Sequence, residues 1–339
     1  MNYIYIIAIP LVVYFVNTLI KYKNFLPSLS GEKHQLFVER KNIPLSGGVI
    51  IIITLLFIEK FNIDSFYLFL FSLFLIGFFS DLKIIKSARN RFFLQLFFIF
   101  LFVVFNDFYI SNTRIFFIDF LLNYKFFSYC FVIFCLLILV NGTNFIDGLN
   151  GLVLGYFISI LIVIYNLQLF ENLDITQTEI LYFSELLFCL ILFNFFNKLY
   201  LGDSGSYLLG FIFGILLISI YKLNPVLSPF FIILLLWYPC FENLFSIIRK
   251  YRFSTSPLNS DNKHFHQLLF YFVKKKFNLS ALSANNLCSI LISIFNIVAF
   301  SIGATNIFNT QLQIVIIFFN IIAYILSYIL LFNYRFKKN

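Results

Sequence analysis

Charged residues are scarce in this 339-residue chain: Asp, Glu, Lys and Arg together make up 12%, against about a quarter in soluble globular domains. Set beside 61% hydrophobic and 22% aromatic content, that scarcity excludes a water-soluble globule and marks an integral membrane protein. Cysteine is sparse too. Cys130, Cys135, Cys189, Cys240 and Cys288 all lie inside apolar runs, at spacings that fit neither a zinc site nor a disulfide framework, so they are read as packing residues. No basic residue precedes the first apolar run, residues 3–20, and its lysines, Lys21 and Lys23, come after it. A cleaved signal peptide has the reverse order, so this run is expected to remain as the first helix. Internal repeats are lacking as well, which argues against a transporter built from inverted halves.

What is present is a series of long apolar runs. At ~20 residues per bilayer crossing, eleven spans are expected: 3–20, 46–59, 65–80, 92–106, 126–140, 151–167, 180–196, 206–221, 227–248, 286–304 and 311–333. The fold class is therefore all-α, a single polytopic membrane domain over 1–339, with residues 249–284 as its long cytoplasmic loop. The second span is short and follows Pro44 and Gly47–Gly48, so it is expected to start as a broken helix where the backbone lines a wet cavity. Alternating the loops puts 20 of the 24 Lys and Arg on one side. By the positive-inside rule that side is cytoplasmic, with the N-terminus outside and the C-terminus inside. For most of these cations, and for the net charge of +9, topology and anionic headgroups are sufficient explanation.

That topology also gathers every polar island on the cytoplasmic side: residues 40–48, 77–91, 141–152, 200–206 and 249–269. Asn141, Asn144, Asp147 and Asn150 recur every three residues, so a helical conformation would let neighbours share a ligand. Asp203, in Gly-Asp-Ser-Gly-Ser ahead of an apolar run, sits where free backbone N–H groups favour an anion. It can serve as a simple helix cap, or, with Asn144, hold a hard cation that completes its shell with phosphate oxygens. Asp81 is followed by Lys83, Lys86, Arg89 and Arg91, so carboxylate and cations alternate at the membrane surface, where a carboxylate is a functional candidate. His264 and His266 stand two apart and cannot share one helix face, which points to a loop that binds phosphate or nucleotide. A metal–phosphate centre, basic residues and a membrane-level cavity imply phosphoryl transfer with one lipid-borne substrate.

These segments resemble the polyprenyl-phosphate N-acetylhexosamine-1-phosphate transferases, from about residue 32 to 270 and in the family's order. Residues 44–48 match its Pro-x-x-Gly-Gly segment, 77–81 its Gly-x-x-Asp-Asp segment, and 141–152 its Asn-x-x-Asn-x-x-Asp-Gly-x-Asp/Asn-Gly-Leu segment. Residues 201–206 match Gly-Asp-x-Gly-Ser and 261–268 match Asp-x-x-His-x-His-His. The resemblance implies transfer of a sugar 1-phosphate, GlcNAc 1-phosphate first among N-acetylhexosamines, from a UDP-sugar to undecaprenyl phosphate. UMP is released, with Mg2+ (or Mn2+) as cofactor. It implies catalytic roles for Asp81, Asp147 and Asp203, with metal contacts from Asp203 and Asn144. Substrate contacts would come from Lys41, Asn141, Asn144, Asn150, Asn194, Arg252, Lys263, His264 and His266. A bacterial inner membrane, a part in O-antigen or cell-wall glycan synthesis, no nucleic acid and an allowance for a homodimer go with it. The chain departs from the pattern twice: Ser80 replaces the first Asp of the pair, and Gln267 replaces the last His. Those departures leave an inactive lipid-binding scaffold as the alternative.

Overall fold

Runs this apolar, broken only by short polar segments, have one way to satisfy their backbone in lipid, which is to form helices. The computed structural model of the chain describes residues 3–23, 43–57, 64–171, 173, 175–252 and 262–336. Its helices are α1 (Tyr3–Tyr22), α2 (Gly47–Phe57), α3 (Asp64–Asp81), α4 (Ala88–Phe105), α5 (Phe116–Leu122), α6 (Lys125–Ile146), α7 (Leu152–Asn166), α8 (Gln177–Phe195), α9 (Gly202–Leu223), α10 (Pro229–Arg252), α11 (Phe265–Lys276), α12 (Ala281–Ala304) and α13 (Thr310–Phe336). No strand occurs among the described residues.

Seven of these, α4, α6, α8, α9, α10, α12 and α13, are long and apolar enough to cross a bilayer. Four shorter apolar stretches, 8–22, 47–56, 66–81 and 152–166, fall within α1, α2, α3 and α7. All eleven lie where an apolar run was expected, while α5 and α11 are additional. The region expected as one loop over 249–284 instead holds the end of α10, the whole of α11 and the start of α12.

α9 is the central element. It is apolar on every side and almost wholly buried from Gly202 to Ile218, as a helix in the middle of a bundle should be. It packs against α2, α3 and α6. Phe213 stacks on Phe157 of α7 with ring centroids 4.1 Å apart, and Phe211 meets Phe102 of α4 edge-on at 5.2 Å. The outer helices show the opposite face of the same chemistry. Phe116, Phe126, Phe134, Phe318, Phe319 and Leu330 are exposed, apolar surface that suits lipid and not water.

Residues 43–46 precede α2 without helical structure. Their backbone is paired: Tyr200 N–H donates to Pro44 carbonyl (2.9 Å), Gly47 N–H to Tyr200 carbonyl (3.0 Å) and Gly48 N–H to Leu201 carbonyl (3.2 Å). Buried irregular backbone needs such partners. The consequence is positional, since two polar islands far apart in sequence are laced together at the start of α9.

Candidate active site

The site is built on the first turn of α9. Helix N-termini leave backbone N–H groups unpaired, and here the missing acceptor comes from another helix. Asp81, the last residue of α3, accepts hydrogen bonds from Asp203 N–H (2.8 Å), Ser204 N–H (3.1 Å) and Ser204 Oγ (2.7 Å). α3 and α9 can come this close because residue 77 is glycine: a Cβ there would lie 2.4 Å from Ser204 Cα. Both Asp81 oxygens are therefore spent on capping α9, and the carboxylate is buried.

With α9 so fixed, Asp203 points at three other elements. Its Oδ1 accepts from Asn144 Nδ2 at 2.7 Å. Its Oδ2 accepts from Ser80 Oγ at 2.6 Å and from the Arg91 guanidinium at 2.5 Å. Arg91 also donates to Ser80 Oγ at 2.7 Å, so Ser80, Arg91 and Asp203 form a closed triangle. Asn144 donates a second bond to Ser206 Oγ (3.1 Å). α6 was expected to end near residue 140 but continues to Ile146, which puts Asn141 and Asn144 on its last turns. Asn141 donates to Gln95 of α4 (2.9 Å), one layer behind the site. Asp147 caps the C-terminal end of α6. Its carboxyl titrates well above the ordinary range, first because burial removes water and then because Asp203 and Asp81 add negative charge.

The His segment closes the other side. His264 immediately precedes α11, and its Nδ1 lies 2.9 Å from Glu242 Oε1 of α10. A carboxylate only accepts, so Nδ1 is the protonated nitrogen. His266 stacks on His264 with centroids 5.7 Å apart and 16° between planes. It is fully buried, and among the described residues neither of its ring nitrogens has a hydrogen-bond partner. Glycine at 148 admits this ring, since a Cβ there would lie 2.2 Å from Nε2. Burial, then the His264 charge, push the His266 pKa down to about 3, against the pull of Glu242. Its nitrogens are thus neutral and buried beside the turn that follows Asp147, an arrangement that ordinarily calls for a ligand or water.

Residues 63–221 match the family model described as glycosyl transferase family 4. The chain is 27% identical over 234 residues to an undecaprenyl-phosphate alpha-N-acetylglucosaminyl 1-phosphate transferase of Thermotoga maritima, covering 67% of each chain. It is also 27% identical over 157 residues to a decaprenyl-phosphate N-acetylglucosaminephosphotransferase of Mycolicibacterium smegmatis, and 28% identical over 155 residues to one of the same name from Mycobacterium leprae. Each of those two matches covers 39% of this chain, and they cover 37% and 38% of the relatives. Over residues 63–221, just under half of its length, the chain is similar to glycosyl transferase family 4. Its match spans well under two thirds of the length of the two mycobacterial relatives.

In this chain Asp81, Asn144, Asp147 and Asp203 come together around the start of α9, with His264 and His266 beside the Gly148 turn. Asn150 and Asn194 are held in hydrogen bonds within the protein. Asn150 donates from Nδ2 to Asn197 (2.8 Å) and from its N–H to Asn285 (2.7 Å), while Asn194 accepts from Gly151 N–H (2.5 Å) and donates to Leu199 carbonyl (2.8 Å). Arg252 ends α10 and is exposed, and the Lys263 ammonium stands 5.9 Å from the Phe336 ring centre. Lys41 lies outside the described residues. Sequence reasoning missed Arg91, hidden in a run of four cations, and Glu242. The signal for Glu242 was available: it is the one acidic residue in the apolar run 227–248, and a carboxylate inside a span is a functional candidate by default. Gln267 has a visible task, since its side-chain oxygen accepts from His264 N–H (3.2 Å) at the start of α11.

Among the described residues no three His, Cys, Asp or Glu side chains converge on one point, so a protein-only cage is absent there. One carboxylate and one amide side by side are donor types that Mg2+ takes, and here both Asp203 oxygens already accept hydrogen bonds from Asn144, Ser80 and Arg91. The Arg91 guanidinium now supplies the positive charge at Asp203 Oδ2.

Proposed function

We propose that this protein transfers an N-acetylhexosamine 1-phosphate, GlcNAc 1-phosphate in the first instance, from a UDP-sugar to undecaprenyl phosphate in a bacterial plasma membrane. UMP leaves, and the lipid-linked product starts a cell-envelope glycan such as an O-antigen. The observation that carries the reading is the convergence on one helix terminus of Asp203, Asn144 and Arg91, with Asp147 and the unpartnered His266 at hand. The names of the relatives, each a polyprenyl-phosphate N-acetylglucosaminyl phosphotransferase, support the same substrate class.

In this reading an oxygen of the lipid phosphate attacks the phosphorus that carries the sugar. A new P–O bond forms, the bond to UMP breaks, and its electrons leave with the UMP phosphate. A phosphate monoester with a second pKa of about 6 is largely ionised at neutral pH, so the nucleophile needs no strong base and Ser80 in place of an Asp is compatible with transfer. Mg2+, held by Asp203 and Asn144, would supply charge stabilisation on the pyrophosphate. Arg91 turns from Asp203 to a phosphate oxygen, which a guanidinium binds well. Asp147 shapes the donor pocket. His264 and His266, with Arg252 and Lys263, face the nucleotide. Asp81 acts by holding α9 in place.

A second reading, a lipid-binding scaffold without turnover, is favoured by one observation: Ser80 and Arg91 already occupy Asp203. Both are tested by UMP release from purified protein in detergent with undecaprenyl phosphate, Mg2+ and a panel of UDP-sugars. Release with a single donor, abolished by EDTA, is the expected result. No release with any donor from folded protein would favour the scaffold.

A further inference from the structure

Glu242 lies inside the apolar span of α10 and is 1% exposed. A carboxylate at that depth is costly unless it is paired and hydrogen-bonded. Its two oxygens have separate partners on separate elements. Oε1 faces His264 Nδ1, and Oε2 accepts from the Tyr324 hydroxyl of α13 at 2.6 Å. α13 makes two more bonds to the same segment: the Tyr328 hydroxyl donates to Lys263 carbonyl at 3.0 Å, and Arg335 Nη1 donates to Asn262 carbonyl at 2.9 Å. Positions 324, 328 and 335 are four and eleven residues apart, which at 3.6 residues per turn places all three on one stripe of the helix. Aromatic packing stiffens the stripe, with Tyr324 against Phe265 at 4.9 Å and Tyr328 against Phe245 at 4.8 Å. α13 lies beyond the family match at 63–221.

We propose that Glu242 and the Tyr324–Tyr328–Arg335 stripe of α13 form a clamp that sets the orientation of His264 and, through ring stacking, of His266 for nucleotide binding. The clamp residues touch no substrate. They are positioning residues that act through His264: Glu242 fixes its tautomer, Tyr324 fixes Glu242, and the two backbone bonds hold the approach to α11. The proposal rests on the nucleotide-sugar reading given above.

The test is a double-mutant cycle on UMP affinity, measured by titration calorimetry on the full chain in detergent for Glu242→Gln, Tyr324→Phe, His264→Gln and the two doubles with His264→Gln. One hydrogen bond to a charged group sets the scale, so each single variant should weaken UMP binding about tenfold. Each double should be no weaker than His264→Gln alone, because the clamp acts only through that ring. Losses that add in the doubles, or a Tyr324→Phe variant with unchanged affinity, would overturn the proposal. If Glu242→Gln fails to fold, Tyr324→Phe, which removes a single oxygen, carries the same cycle. Absence of UMP binding by the wild type would instead overturn the nucleotide reading, and the clamp's purpose with it.

Discussion

Asp203 concentrates the chemistry of the site in one side chain. Replacing it with Ala removes the carboxylate from a triangle with Ser80 and Arg91 while leaving the Asp81 cap intact, since that cap uses backbone N–H groups and Ser204. Transfer should fall by on the order of a thousandfold, with the melting temperature in detergent close to wild type. Full activity in Asp203→Ala would remove the metal assignment. His266 gives a pH prediction. Its folded pKa of about 3 lies below the ordinary 6.5, so the unfolded chain binds the proton first as pH falls. The ring's contribution to stability is whole above 6.5 and drains away between 6.5 and about 3. Melting temperatures measured from pH 7.5 to 4.5 should fall less steeply for His266→Asn than for wild type; equal slopes would count against the buried, neutral ring. At this scale the sequence revealed Asp203, Asn144 and Asp147 because glycines and amides set them apart from the apolar runs. Arg91 was hidden because nothing in a row of cations says which one turns inward.

At the level of elements, the decisive contact is α3 against α9. Gly77→Ala would drive a methyl into the Ser204 backbone. Overpacking costs about 1–3 kcal/mol at flexible contacts, and backbone yields less than side chain. The expected result is a clear drop in melting temperature together with loss of transfer. A fully stable and active Gly77→Ala variant would contradict the close α3–α9 approach. The helices were legible from apolar length, but their ends were not. α6 runs on through Asn141 and Asn144 because those amides find Gln95 and Asp203, partners that hydropathy does not register. α11 was missed for a related reason: its apolar face is short, and what fixes it is a clamp from α13 more than fifty residues away.

Across the whole molecule, five polar islands spread over more than two hundred residues are predicted to share one membrane face, and the described ones meet at one end of α9. The basic-residue bias is the ground for expecting that end in the cytoplasm and the N-terminus outside. Reporter tags on the two termini should therefore read opposite sides of the membrane, and tags reading the same side would contradict the topology. The central claim is that the phosphate travels with the sugar. Purified protein given undecaprenyl phosphate, Mg2+ and UDP-GlcNAc labelled at the phosphate next to the sugar should move the label into the organic phase and leave unlabelled UMP in water. Label that stays in water as UDP while sugar enters the lipid would contradict the account, as would sugar transfer that survives removal of Asp203.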